Sequence, residues 1–241
     1  MHLKRAWEKE GAHICWSRGS NKAEEPSTFM KVIAFNSSPR KDWNTAIVLK
    51  RALEGAESLG AETKIVHLND LCFRGCQSCF ACKTRNDPSY GTCAMRDDLT
   101  PLLHEVDESD GVIFGSPIYF GDVPGSMRNL YERILFPRYE YTKKPLLKPR
   151  KIRNAHVYTM NVNDKVMRNW LLSRLEDTRE TFNNILGPAE SLYVTDTLQW
   201  DDYSLYVSDG TDEAHKRESR LNRFPKDLEA AYEVGKRLTG A

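Results

Sequence analysis

Three cysteines recur at a fixed step, Cys76, Cys79 and Cys82, and Cys93 follows after a ten-residue gap from Lys83 to Thr92. Thiolates at such close spacing wrap a cube-shaped iron-sulfur cluster, and a fourth from farther along the chain completes a 4Fe-4S ligand set. Structural zinc more often shows two separated C-x2-C pairs, so zinc fits less well. Free or paired thiols remain a further alternative. Five of the six cysteines crowd into residues 72–93, and only Cys15 stands apart. A disulfide framework would spread its bridges over the fold, so the crowding argues for metal or redox chemistry in a reducing compartment, the cytoplasm.

Two other stretches carry groups suited to a ligand. Asn36-Ser37-Ser38-Pro39-Arg40-Lys41-Asp42-Trp43-Asn44-Thr45 offers hydroxyls, a guanidinium and the amides of a helix N-terminus, donors that hold a phosphate without a metal. The glycines and Lys-Ser/Thr pair of a P-loop are missing, as is GxGxxG, which argues against ATP and a tightly held dinucleotide. The plainer reading is a polar loop in which Asn44 or Thr45 caps a helix. Ser116-Pro117-Ile118-Tyr119-Phe120-Gly121 is a proline-stiffened turn with two aromatic side chains, able to present amides to the rim of a flat heterocycle. Alternatively, Tyr119 and Phe120 cover the core.

The elements around these stretches alternate in type. Val32, Ile33, Ala34 and Phe35 form a short apolar run, as expected of a strand buried on both faces. Ile47, Val48, Ala52, Leu53 and Ala56 then fall at helical spacing, and Gly60 ends the pattern. Further strands are expected at Thr63 to Leu68, Gly111 to Gly115, Ala155 to Met160 and Ser191 to Thr195. Helices are expected at Leu99 to Val106, opened by Asp97-Asp98, at Met127 to Leu135 and in one long run from Val166 to Leu186. A last helix runs through Ala231 to Leu238, with Pro225 in its first turn. Such alternation implies an α/β fold with a parallel sheet, helices on both faces and ligands beyond the carboxyl ends of the strands. Residues 1–29 show no periodicity and read as a tail or arm, leaving one domain over residues 30–241 with a cysteine-rich insertion near 72–93.

The S-P-R-x-x-x-N-T loop and the P-x-Y-F-G turn together resemble those of the flavodoxin-like NAD(P)H-dependent FMN reductases and iron-sulfur flavoproteins, over about Lys31 to Leu238. The resemblance implies a doubly wound five-stranded sheet. It places the FMN phosphate on Ser38, Arg40, Asn44 and Thr45 and the isoalloxazine on Pro117, Ile118, Tyr119, Phe120 and Gly121. Tyr158 to Val162 stands where many relatives carry a glycine-rich turn, which implies flavin contacts at Met160 and Asn161. It also supports a 4Fe-4S cluster on Cys76, Cys79, Cys82 and Cys93. The implied activity is flavin-dependent oxidoreduction with NAD(P)H as donor, and a small-molecule acceptor or a ferredoxin-like protein as partner. No catalytic acid is required where the cofactor does the chemistry. A homodimer or homotetramer is implied too. The rival from another class is a non-catalytic redox sensor or zinc-binding interaction module.

Composition is compatible with either. The chain has 241 residues, 40% hydrophobic and 29% charged, with 35 basic and 34 acidic side chains. A formal net charge of +1 supplies no field that would hold nucleic acid or an anionic membrane by charge alone. No apolar run approaches the roughly 18 residues of a membrane span. His67, His104 and His156 lack a nucleophile or metal partner in the sequence and read as structural or solvated. The basic stretch Lys143, Lys144, Lys148, Arg150, Lys151 and Arg153 reads as a solvated loop.

Overall fold

A computed structural model of the protein describes residues 29–144, 146–148 and 150–240. The expected tail therefore lies outside the described residues, apart from Phe29.

Five strands, β1 (Lys31–Asn36), β2 (Glu62–His67), β3 (Gly111–Pro117), β4 (Arg153–Thr159) and β5 (Ala189–Val194), form one parallel sheet in the order β2-β1-β3-β4-β5. Alternate residues of β1 feed two cores: Ile33 and Phe35 on one face, Val32 and Ala34 on the other. The first core is covered by α2 (Leu99–Glu108), α3 (Gly125–Arg138) and α5 (Leu172–Ile185), the second by α1 (Asn44–Glu57) and α7 (Phe224–Leu238). This two-sided burial gives the uninterrupted apolar runs seen in the sequence. The chain reverses its direction of growth between β1 and β3, so the crevice at their carboxyl ends is the topological switch point.

Two elements differ from expectation. The long helix from Val166 is interrupted: a short turn, α4 (Asp164–Val166), passes through a π-helical segment at Met167–Leu171 before α5 begins. The wider turn keeps Met167, Leu171, Leu172 and Leu175 all against the core. The other, α6 (Glu213–Asn222), has no apolar stripe and was not expected; its buried residues are Lys216 and Ser219. Its N-terminus is capped by Asp212, which accepts from the His215 amide at 3.0 Å.

The first turn of α7 carries a partly buried acid. Burial pushes the Asp227 carboxyl up from 3.8 to about 6, Arg223 opposing and Asp164 reinforcing the rise. Its Oδ2 has no hydrogen-bond donor among the described residues. The folded state thus binds this proton more tightly than the unfolded state. The contribution is full below pH 3.8 and is lost as the pH rises through about 6. Asp227→Asn is therefore expected to stabilise the protein at pH 7 by up to about 3 kcal/mol. Urea unfolding at pH 4 and pH 7 checks this: the wild type should lose stability relative to the variant between them, and a constant difference contradicts it.

Candidate functional site

The loop after β1 is built to receive an anion. The Ser38 amide donates to Asn36 Oδ1 at 2.9 Å, and Ser38 Oγ accepts from the Arg40 amide at 3.2 Å, which bends the chain into the start of α1. The first amide of α1 with an acceptor is that of Ile47, bonded to the Trp43 carbonyl at 2.9 Å. The amides of residues 41–46 have no acceptor among the described residues, although Asn44, Thr45 and Ala46 are buried. A helix terminus buried without acceptors is poised for a negative group. Gly115 lets the helix approach this closely, since a Cβ there would meet Leu49 Cδ1 at 2.4 Å. Asn44 and Thr45 do not cap the helix as expected. Trp43 holds the cap position without a side-chain bond, while Thr45 Oγ1 pairs with Thr159 Oγ1 at 2.7 Å and Asn44 Nδ2 donates to the Leu198 carbonyl at 2.8 Å.

The guanidinium of Arg40 donates to the Gln199 carbonyl at 2.8 Å and lies 4.0 Å over the Trp43 ring. Among the described residues it has no ion-pair partner, and burial lowers it from its usual value while Asp201 and Tyr119 act in the opposite sense. The start of this loop is tied to β3. Ser37 donates from its amide and Oγ to the Gly115 carbonyl, at 3.0 and 3.2 Å.

The loop after β3 is a two-residue turn. Tyr119 and Asp122 exchange backbone hydrogen bonds of 2.9 and 3.1 Å, and Phe120 and Gly121 both take positive φ, 51° and 88°. A left-handed conformation at a non-glycine residue costs about 1 to 3 kcal/mol and clusters at ligand sites. The Phe120 and Gly121 amides have no acceptor among the described residues, and the Tyr119 and Phe120 side chains are exposed. They do not cover the core. Pro117 ends β3, and the Ile118 amide is pinned to the Thr159 carbonyl at 3.0 Å. The Met160 side chain is buried in the core. The Asn161 carbonyl accepts from Lys216.

The segment after β5, which the sequence left without a role, straps this edge. The Leu198 carbonyl also accepts from Trp43 Nε1 at 3.2 Å, and Arg220 of α6 donates to Asn44 Oδ1 at 2.9 Å. Burial lowers Arg220 from its usual value, and it has no ion-pair partner among the described residues. A second desolvated guanidinium thus reaches the phosphate-type loop.

The cysteine segment leaves the same edge, where Asn69 Nδ2 donates to the Ser37 carbonyl at 3.0 Å and Lys41 pairs with Asp70 at 2.6 Å. It then folds onto α3, the helix that follows the β3 turn. Cys76, Cys79, Cys82 and Cys93 are free thiols lining one pocket with an empty volume of about 310 Å³, open solvent included, floored by Glu132, Arg133, Phe136 and Pro137. The long gap before Cys93 closes on itself: the Gly91 amide donates to the Cys82 carbonyl at 3.1 Å, so the chain returns beside Cys82. Burial pushes the Cys82 thiol up, Lys83 opposes this, and the other three sulfurs add to it. Among the described residues, no three Cys, His, Asp or Glu side chains are spaced to hold a single metal ion. Four free thiols lining one pocket match, in number and kind, the ligand set of a 4Fe-4S cluster.

A model of the family described as NADPH-dependent FMN reductase matches residues 30–149. This part of the chain belongs to that family. An iron-sulfur flavoprotein of Archaeoglobus fulgidus is 38% identical over 104 residues, covering 43% of this chain and 48% of the relative. Another, from Methanocaldococcus jannaschii, is 36% identical over 104 residues, covering 43% and 51%. The chain spans about half the length of the curated relatives it matches. The fold is similar to that of an NAD(P)H:quinone oxidoreductase from Methanothermobacter marburgensis, with a TM-score of 0.59 at 12% identity over 88% of this chain and 98% of that one.

The part that the FMN reductase family model matches holds both site loops and all four cysteines, whereas Met160, Asn161 and Arg220 lie beyond it. Arg133 and Arg220 were missed in the sequence because lone charged residues carry no pattern. His156 is structural: burial, aided by the Arg179 charge, lowers it to about 3, and it meets Tyr131 Oη at 3.1 Å among core aromatics. Part of the basic stretch is paired rather than solvated, with Lys148 on Asp107 and Arg150 on Asp110. Asp97 does accept from the Leu99 amide at 3.2 Å but mainly clamps Arg133, while Asp98 takes the Cys72 amide at 2.7 Å.

Proposed function

We propose that this protein is an FMN-dependent oxidoreductase of the iron-sulfur flavoprotein kind. The observation that carries the reading is the joining, at one sheet edge, of an unsatisfied anion-binding helix terminus with a segment that gathers four thiols around one pocket. The α1 amides, Ser38 and Arg40 hold the FMN phosphate, and Arg220 fixes Asn44 beneath it. The β3 turn would hold the ring, and the acceptor-free amides of Phe120 and Gly121 are donors that would favour an electron-rich, reduced flavin. Pro117 and the Ile118 bond to Thr159 keep that turn fixed. Cys76, Cys79, Cys82 and Cys93 hold a 4Fe-4S cluster. When bound, FMN supplies hydride and single-electron chemistry and the cluster supplies single-electron transfer.

NAD(P)H as donor is supported by the family's description, and a small-molecule acceptor or a ferredoxin-like protein is the proposed partner. Assembly into a homodimer or homotetramer is part of the same reading. Among the described residues no helix is long and apolar enough to cross a membrane.

Anaerobically prepared protein is expected to show flavin absorption above a broad iron-sulfur background. Rapid bleaching by NADPH assigns the nicotinamide-driven form, and bleaching only by reduced ferredoxin assigns the electron-transfer form. Colourless protein that binds no added FMN overturns the proposal in favour of a thiol-based sensor.

A further inference from the structure

Arg133 stands out among the buried charges. Its side chain is fully buried, yet it lines the pocket of the four cysteines. Two of its three nitrogens are used: Nη1 donates to the Arg74 carbonyl at 2.8 Å and to Asp97 at 2.7 Å, and Nη2 donates to Asp97 at 3.1 Å. The third, Nε–H, is buried with no acceptor among the described residues. Orphaned buried donors are rare in folded chains, and this one is fixed in place by a bidentate clamp. Cys93 acts on the same guanidinium through its charge and through a side-chain hydrogen bond. The neighbouring residues on α3 dock the cysteine segment: Glu132 accepts from the Cys76 amide at 3.0 Å, and the Phe136 carbonyl accepts from Lys83. Lys83 thus has an acceptor already. Arg133 keeps Nε–H as an unused donor at the pocket that the thiols line.

We infer that Arg133 tunes the reduction potential of a cluster held by Cys76, Cys79, Cys82 and Cys93, by donating its Nε–H to a sulfur at that site and by its fixed positive charge. The inference rests on the proposed function. A thiolate-ligated cluster gains one negative charge with each electron, so a fixed cation and a hydrogen bond to sulfur favour the reduced state and raise the potential. Asp97 attenuates the charge and orients the donor. Arg133 ligates no iron; the cysteines alone do.

The test is an anaerobic potentiometric titration of the reconstituted protein, followed by the electron paramagnetic resonance of the reduced cluster. Asp97→Asn, which keeps Arg133 and removes the attenuating charge, is expected to raise the midpoint potential. The double variant Arg133→Gln/Asp97→Asn is expected to lower it below that of Asp97→Asn with iron and sulfide content unchanged. In wild-type protein grown on nitrogen-15 arginine, the reduced cluster is expected to show a hyperfine coupling to one labelled nitrogen, which needs no variant to fold. Absence of that coupling, or potentials unmoved in both variants, overturns the role of Arg133 alone. A wild type that takes up no iron and sulfide overturns the proposed function along with it.

Discussion

Arg40→Ala is expected to cost FMN binding about 1.5 to 3 kcal/mol, which is roughly 10- to 150-fold in Kd. The guanidinium lies over the Trp43 ring, in the loop whose amides 41–46 lack acceptors, and has no ion-pair partner among the described residues, so a phosphate would be its strongest partner. The cation–π contact with Trp43 holds it in place beforehand and limits the ordering cost on binding. Arg220→Ala is expected to shift affinity in the same direction by less, because it acts through Asn44 Oδ1. Riboflavin, which lacks the phosphate, is the control. Flavin fluorescence titrations should show FMN weakened and riboflavin unchanged in Arg40→Ala; equal loss for both would place Arg40 against the ring or in a purely structural role.

The second large effect concerns the cluster. Cys79→Ser and Cys93→Ser are each expected to abolish stoichiometric iron and sulfide while leaving FMN affinity within about twofold, since removing a ligand opens the set of four. Cys93 is the sharper of the two, because its distance along the chain would let it stand outside the site. The turns through residues 84–92, with Tyr90 bonded back to the Asp87 carbonyl at 3.0 Å and Thr92 to that of Ser89 at 2.8 Å, bring it back. Iron analysis beside an FMN titration reads both outcomes. Full iron content in Cys93→Ser would mean that a different side chain completes the set.

Much of the scaffold could be read from the chain alone because its strands are buried on both faces. Val32 to Phe35 and Gly111 to Gly115 are apolar without interruption, which only a central parallel strand requires. The phosphate-type loop and the β3 turn were legible because rigid or polar residues sat at strand ends. What escaped was set by tertiary context. The α6 helix buries Lys216 against Asp196 rather than an apolar stripe, so periodicity could not reveal it. Asn44 looked like a cap, but the strap of residues 196–206 takes its side chain instead. Arg133 became visible only once α3 and the cysteine segment were seen to share a pocket. The burial of the Met160 side chain in the core was likewise set by packing.

The most direct measurement is a crystal structure of the anaerobically reconstituted protein with FMN. The account requires the phosphate within hydrogen-bond distance of the amides of residues 41–46 and of Arg40, with the ring against residues 119–121. Clear density for FMN elsewhere on the molecule, with the helix terminus closed by the protein's own groups, would contradict it.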